Sequence, residues 1–280
     1  MMKQTFAPLL LALSLIGTAA PTAAQESLDS LQEVRLVDGS TLYGTLVSDG
    51  DPIRMRLLSG DEITISRSRV RSIRKAKGTV RNGEMWREDP NLTRLFFSPT
   101  ARTMPKGHGY VAGYELVFPF VAVAPTDNLL LAGGTPLFGD LLDARVFYFA
   151  PKLNVYTSAR TDLAIGGFFF HEVDGHDMKV GALYAAVTQG SSDAAVTLVV
   201  GAGYDEDGFL DTPVAMLGGE YRVSRTIKLI TENYLTSEVS LFTLGPRFFG
   251  ERLSADLGIG FVVRGSGVFT LPIVNFVYVW

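Results

Sequence analysis

The chain has 280 residues, no cysteine, 25 basic against 29 acidic side chains and a formal net charge of −4. Without cysteine there are no disulfides, thiolate nucleophiles or Cys-ligated metals, and a mildly acidic balance gives no basis for nucleic-acid binding. Hydrophobic residues make up 47% of the chain, yet past the first stretch there is no run of about 18 apolar residues long enough for a helical span. High apolar content diluted by alternation is what a β-barrel in lipid requires.

Residues 1–24 read as a signal peptide. Lys3 supplies the positive end, 6–17 an apolar run, and 18–24 a tail of small residues. Thr22 and Ala24 place cleavage after Ala24. The apolar run is too short for a comfortable retained anchor, and the lack of a following cysteine rules out a lipoprotein anchor.

Residues 30–77 read as a small all-β domain. Glu33-Val34-Arg35-Leu36 runs into Asp38-Gly39-Ser40, and 42–47 runs into Ser48-Asp49-Gly50. Ile53, Met55 and Leu57 alternate with Arg54 and Arg56 before Ser59-Gly60-Asp61, and Ile63, Ile65, Val70 and Ile73 complete the unit. Closely spaced turn residues between short alternating runs predict a small barrel. The strings DGS, LYGTLV and SGD, followed by an isoleucine-paired strand, resemble Sm-like or SH3-like domains. RNA binding, the usual association of Sm-like folds, does not suit an exported chain. Arg67, Arg69, Arg71, Arg74, Lys75 and Lys77 form a basic stretch. It is read as a strand edge protected by charge, or as a surface for anionic head groups or cell-wall polymer.

Residues 78–92 read as a polar linker and 93–280 as an antiparallel transmembrane barrel of about twelve strands, with ten the alternative. Leu253, Ala255, Leu257, Ile259 and Phe261 share one face, and Ser254, Asp256, Gly258 and Gly260 the other. Phe147, Phe149, Leu153 and Val155 oppose Tyr148, Lys152, Asn154 and Tyr156. Leu95, Phe97, Pro99 and Ala101 oppose Arg94, Ser98, Thr100 and Arg102. The first two strands are expected at 94–104 and 110–124, joined by an outer turn at 105–109 that carries His108. With both termini periplasmic, the turns near Thr126-Asp127, Arg160-Thr161, Ser191-Ser192, Ser224-Arg225 and Gly250-Glu251 face the periplasm. Those at 105–109, 138–144, 173–177, 205–212, 236–238 and 264–268 face outside.

Phe276, Tyr278 and Trp280 alternate up to an aromatic final residue. This resembles the C-terminal signature of bacterial outer-membrane barrels, which implies the barrel-assembly machinery and outer-membrane lipid as partners. The stretches NLTRLFFSPTAR, GHGYVAGYELVF and TDNLLLAGG resemble an uncharacterised family of bacterial outer-membrane barrels with this same layout. The resemblance implies architecture and no activity.

By alternation, Arg94, Arg102, Glu115, Lys152, Lys179, Glu220, Arg222, Lys228, Glu232, Arg247 and Asp256 point into the lumen. They either pair to fill it or line a wet pore favouring anions, and one bulge would reverse several of them. His171, His176 and Asp174 are weak metal candidates, too loosely spaced to predict a site. His176-Asp177 imitates the His-Asp pair of omptin proteases, but the matching acid pair is missing. Gly133-Gly134, Gly166-Gly167 and Gly218-Gly219 fall inside strands with no following helix, so they predict bends or lumen clearance and not phosphate loops. The expected function is a non-enzymatic small pore or structural/binding barrel with a periplasmic domain that docks a cell-envelope partner, without cofactor or nucleic acid. An outer-rim enzyme acting on lipid or peptide is the alternative.

Overall fold

The computed structural model describes residues 31–137, 146–172, 180–236 and 239–280, which divide into two compact units between Ala76 and Lys77. The first holds β1 (Leu31–Leu36), β2 (Thr41–Ser48), β3 (Ile53–Leu57), β4 (Glu62–Ile65) and β5 (Val70–Lys75). These form one antiparallel sheet in the order β4-β3-β2-β1-β5. Period two decides its faces. Ile53 and Met55 are fully buried while Arg54 and Arg56 between them are exposed. Val34, Leu36, Met55 and Ile65 form the core.

The second unit opens with a hairpin, β6 (Gly78–Arg81) paired with β7 (Glu84–Arg87). The stretch expected as a plain linker is therefore structured. Asn82 and Gly83 both have positive φ, the conformation that a tight hairpin turn requires.

Thirteen segments close into a barrel: β8 (Gly109–Tyr114), β9 (Phe118–Val123), β10 (Leu129–Gly134), β11 (Val146–Phe149), β12 (Lys152–Thr157), β13 (Thr161–Glu172), β14 (Val180–Gly190), β15 (Ala194–Asp205), β16 (Gly208–Ser224), β17 (Ile227–Leu235), β18 (Val239–Phe249), β19 (Leu253–Arg264) and β20 (Gly267–Val279). β11 and β12 are two halves of one strand, both laid between β10 and β13 and interrupted around Pro151, which lacks an amide to donate. The barrel therefore has twelve strands. β20 pairs antiparallel with β8 and closes it.

The strand count of twelve is reached by a different route from the one the alternation suggests. Residues 94–104 are not a wall strand: Leu95, Phe96 and Ala101 are fully buried. Residues 110–124 are instead two strands, β8 and β9. They turn at Glu115 and Leu116, whose φ values of 50° and 62° lie in the left-handed region, unusual for side chains of this size. The segment 105–109 consequently lies at the end of the barrel that carries the C-terminus, not at the opposite mouth. There His108 donates its amide to Pro105 and accepts from Ala124.

The outward face is apolar. On β19, Leu253, Leu257, Ile259 and Phe261 are exposed while Ser254 and Asp256 are buried. Phe147, Phe149, Leu153 and Val155 are likewise exposed beside buried Tyr148, Lys152 and Asn154. Tyr156 departs from the expected face. A bulge between Asn154 and Tyr156 shifts the register and turns the ring outward.

Candidate functional site: a charged lumen closed by an internal segment

Residues 88–107 enter the lumen as a loop and leave by the same mouth. On the entry side, the β6–β7 hairpin rests on turns of the C-terminal end of the barrel. Arg81 pairs with Asp193, Arg225 with Glu84 at 3.5 Å and Arg87 with Glu251 at 3.7 Å. On the exit side, Gly107 donates its amide to Ala124 (2.9 Å) and Lys106 donates its amide to the Asp127 carboxylate (2.8 Å). Between these ends the loop folds tightly on itself. Leu95 donates its amide to Ser98, and Thr100 donates to Thr93.

This backbone has no neighbouring strand, so its polar groups need partners from elsewhere. The barrel wall supplies them as side chains. Lys152 on β12 donates to the carbonyls of Thr93 (3.0 Å), Thr100 (2.9 Å) and Arg102 (2.6 Å). Arg247 on β18 donates to Asn91 (2.6 Å), Arg94 (3.2 Å) and Leu95 (2.7 Å). Glu232 on β17 accepts the amides of Phe97 and Ser98, each at 3.0 Å, and the Tyr234 hydroxyl at 2.6 Å. Asn154 donates to Ala101, Asn275 donates to Phe96, and the Thr188 hydroxyl accepts the Ala101 amide.

A second layer pairs charge with charge. Lys228 bridges Asp89 (3.0 Å) and Glu220 (2.8 Å). Arg247 reaches Asp89 (3.3 Å) and Asp256 (2.6 Å). Arg102 lies against Glu220, Asp162 and the carbonyl of Ser191. Arg222 pairs with Asp193 at 2.9 Å, and the guanidinium groups of Arg81 (4.4 Å) and Arg222 (4.9 Å) both lie against the Trp86 ring. Buried ions without such partners would be strongly unfavourable.

The apolar tip of the loop fits into gaps left by glycine. A Cβ on Gly218 would collide with the Leu95 side chain, and one on Gly258 would stand 3.1 Å from the Phe96 ring. Gly134 and Gly166 similarly leave room for the rings of Tyr148 and Tyr184. Toward the other mouth, Tyr114, Phe120, Tyr148, Phe168 and Phe170 form an aromatic chain with successive centroids 5.0–5.8 Å apart. Arg94 lies 4.4 Å from the Phe120 ring and donates to Phe97 and the Tyr110 hydroxyl.

The sequence-derived lumen set divides accordingly. Lys152, Glu220, Arg222, Lys228, Glu232, Arg247 and Asp256 are buried on the inner wall. Arg94 and Arg102 reach the same space from the inserted loop, which is a correction to their assignment to a wall strand. Glu115 is also displaced. It sits in the β8–β9 turn and not on a strand, where its amide donates to the side chain of Asn275 in the interior of β20. Lys179, Asp174 and His176 fall outside the described residues. His171 is exposed and lies opposite outward-facing Phe147. Among the described residues there is no cluster of His, Asp and Glu able to hold a metal. Asp89 and Asp193 also belong to the site, but alternation does not identify them because they lie outside any strand, and Trp86 stands in a strand of only four residues, too short for the pattern to register.

Phe276, Tyr278 and Trp280 are exposed near the seam between β20 and β8, and the Trp280 amide donates to Gly109. In the N-terminal unit, much of the basic stretch has local partners. Arg67 pairs with Asp49, Arg69 with Asp38 and Arg74 with Glu33, and Arg71 donates to the carbonyl of Val37. Lys75 is exposed, as is Lys77 at the start of the second unit.

These features define a closed twelve-stranded barrel with an apolar exterior and a polar, occupied interior. No protein-family model matches the chain, and no curated protein matches it. Two solved structures of the KdgM porin, one in complex with disordered oligogalacturonate, are similar at TM-scores of 0.45 and 0.47 and 8% identity, over 61% of this chain and 96% of theirs. Outer-membrane expressed OmpT of Vibrio cholerae is similar at a TM-score of 0.36 and 10% identity, over 89% of this chain and 95% of its own.

Proposed function

We propose that this chain is a non-enzymatic outer-membrane barrel whose lumen is shut at rest, and that its N-terminal β-unit serves as a periplasmic docking module. The observation that carries this reading is the inserted loop, whose backbone is hydrogen-bonded by Lys152, Arg247 and Glu232 from three different strands. A lumen built to hold a segment of its own chain is not arranged as an open, solvated pore. The apolar exterior and the aromatic alternation up to Trp280 support the outer membrane as its location, with lipid and the assembly machinery as partners.

The test is the conductance of the refolded, heat-modifiable chain in planar bilayers. Silence is expected at moderate voltage, and discrete openings of the unaltered protein would overturn the closed reading. For docking, envelope proteins retained by the full-length chain are compared with those retained by an Arg71→Glu/Lys75→Glu variant. Equal retention of every partner would remove the basic stretch from the docking surface.

A further inference from the structure

We infer, resting on the closed-barrel reading, that residues 88–107 are a removable gate and that withdrawing them opens a polar channel. The route of the chain is the first argument. The loop enters beside the turns that hold Asp193 and Glu251 and leaves beside Ala124 and Asp127, all at one end of the barrel. Its deepest part, Leu95 to Ser98, meets Gly218, Gly258, Glu232 and Asn275, all within strand interiors. A loop with both ends at one mouth can leave without threading or breaking a strand pair. None of the wall's own closure depends on it, since β20 pairs directly with β8.

The second argument is what the loop leaves behind. Lys228 keeps Glu220, Arg247 keeps Asp256 and Arg222 keeps Asp193. Glu232 keeps the Tyr234 hydroxyl. These groups would still be paired in an emptied lumen, and water would replace the loop's carbonyls around Lys152. The wall then presents Lys152, Arg222, Lys228 and Arg247 together with Asp162, Asp193, Glu220, Glu232 and Asp256, a polar lining that carries both signs of charge. The latch is the β6–β7 hairpin. It precedes the loop in the chain and is fastened to the mouth by the Arg222 guanidinium against Trp86 and by the Arg81–Asp193 pair.

The experiment uses the absence of native cysteine. Ala101→Cys/Thr188→Cys joins loop to wall where the Ala101 amide already meets the Thr188 hydroxyl at 2.9 Å. In the same full-length chain, Glu232→Ala and Lys152→Met loosen the loop. Reduced protein is expected to show discrete openings, and the thiol introduced at position 101 to react with a water-soluble maleimide. Oxidised protein is expected to be silent, and reduction to restore the openings. Openings equal in both states place conduction elsewhere and overturn the gate. Silence in the reduced state overturns the latent channel, whether or not that thiol becomes labelled. In both cases a silent, inserted unaltered chain leaves the closed-barrel reading intact. A chain that fails to insert into bilayers overturns that reading and the gate together.

Discussion

The Lys228 ammonium lies 3.0 Å from Oδ2 of Asp89, and both side chains are fully withdrawn from solvent. The pair joins β17 of the wall to the first part of the inserted loop, at a point where Arg247 also reaches Asp89. Removing one member leaves its partner buried with fewer counter-charges, while removing both takes the charge away with the contact. Asp89→Ala should lower stability by about 3–5 kcal/mol, and Asp89→Ala/Lys228→Met should recover part of that loss. Urea titration of the refolded barrel, followed by heat-modifiability, measures both. A double variant no more stable than Asp89→Ala would show that the ion pair is not what the loop entrance depends on.

Lys152 should govern the local stability of the loop more than that of the barrel. Its three carbonyl partners all lie on the loop. Lys152→Met takes this donor from the Thr100 and Arg102 carbonyls, at about 1–3 kcal/mol each where water cannot enter, while that of Thr93 keeps the Thr100 amide. Amide exchange should accelerate at Leu95 and Thr100 and remain unchanged in β14 and β15. Uniform acceleration across the wall would contradict this division.

The two glycines of the 218–219 pair should differ sharply. A Cβ on Gly218 would collide with Leu95 and stand 2.8 Å from a backbone oxygen, whereas on Gly219 the nearest atom is 3.5 Å away. Gly218→Ala should displace the loop tip and render 88–107 sensitive to protease. Gly219→Ala should leave it resistant. Equal sensitivity would mean that tip packing does not fix the loop.

Trp86 and Trp280 are the only tryptophans, so Trp280→Phe leaves one fluorophore at the hairpin. Its acrylamide quenching should rise when Arg222→Gln removes the guanidinium from the ring, a contact worth about 0.5–2 kcal/mol. Unchanged quenching would show that Arg81 and the strand pairing alone hold the ring.

Much of the barrel was legible in the sequence because its signal is local. Adjacent residues of a strand face opposite sides, so Leu253 to Phe261 declare an apolar face and a polar one without knowledge of any neighbour. The same rule identified Glu220, Arg247 and Asp256 as inward. It misread 94–104, where Leu95, Phe97 and Ala101 alternate with polar residues as a wall strand would. A segment of fifteen residues at 110–124 was long for one crossing, given that about 9–11 suffice, and that length was the available sign of a hairpin. The turn itself carries no glycine or asparagine at Glu115 and Leu116 to announce it.

By itself the sequence determined the alternation, the two-faced wall and the aromatic end, because each follows from the geometry of one extended strand. Only the tertiary structure decided that 88–107 lies inside. That outcome depends on where its backbone finds hydrogen bonds, and the donors and acceptors are Lys152, Asn154, Thr188, Glu232, Arg247 and Asn275, brought together from far along the chain only once the barrel has closed.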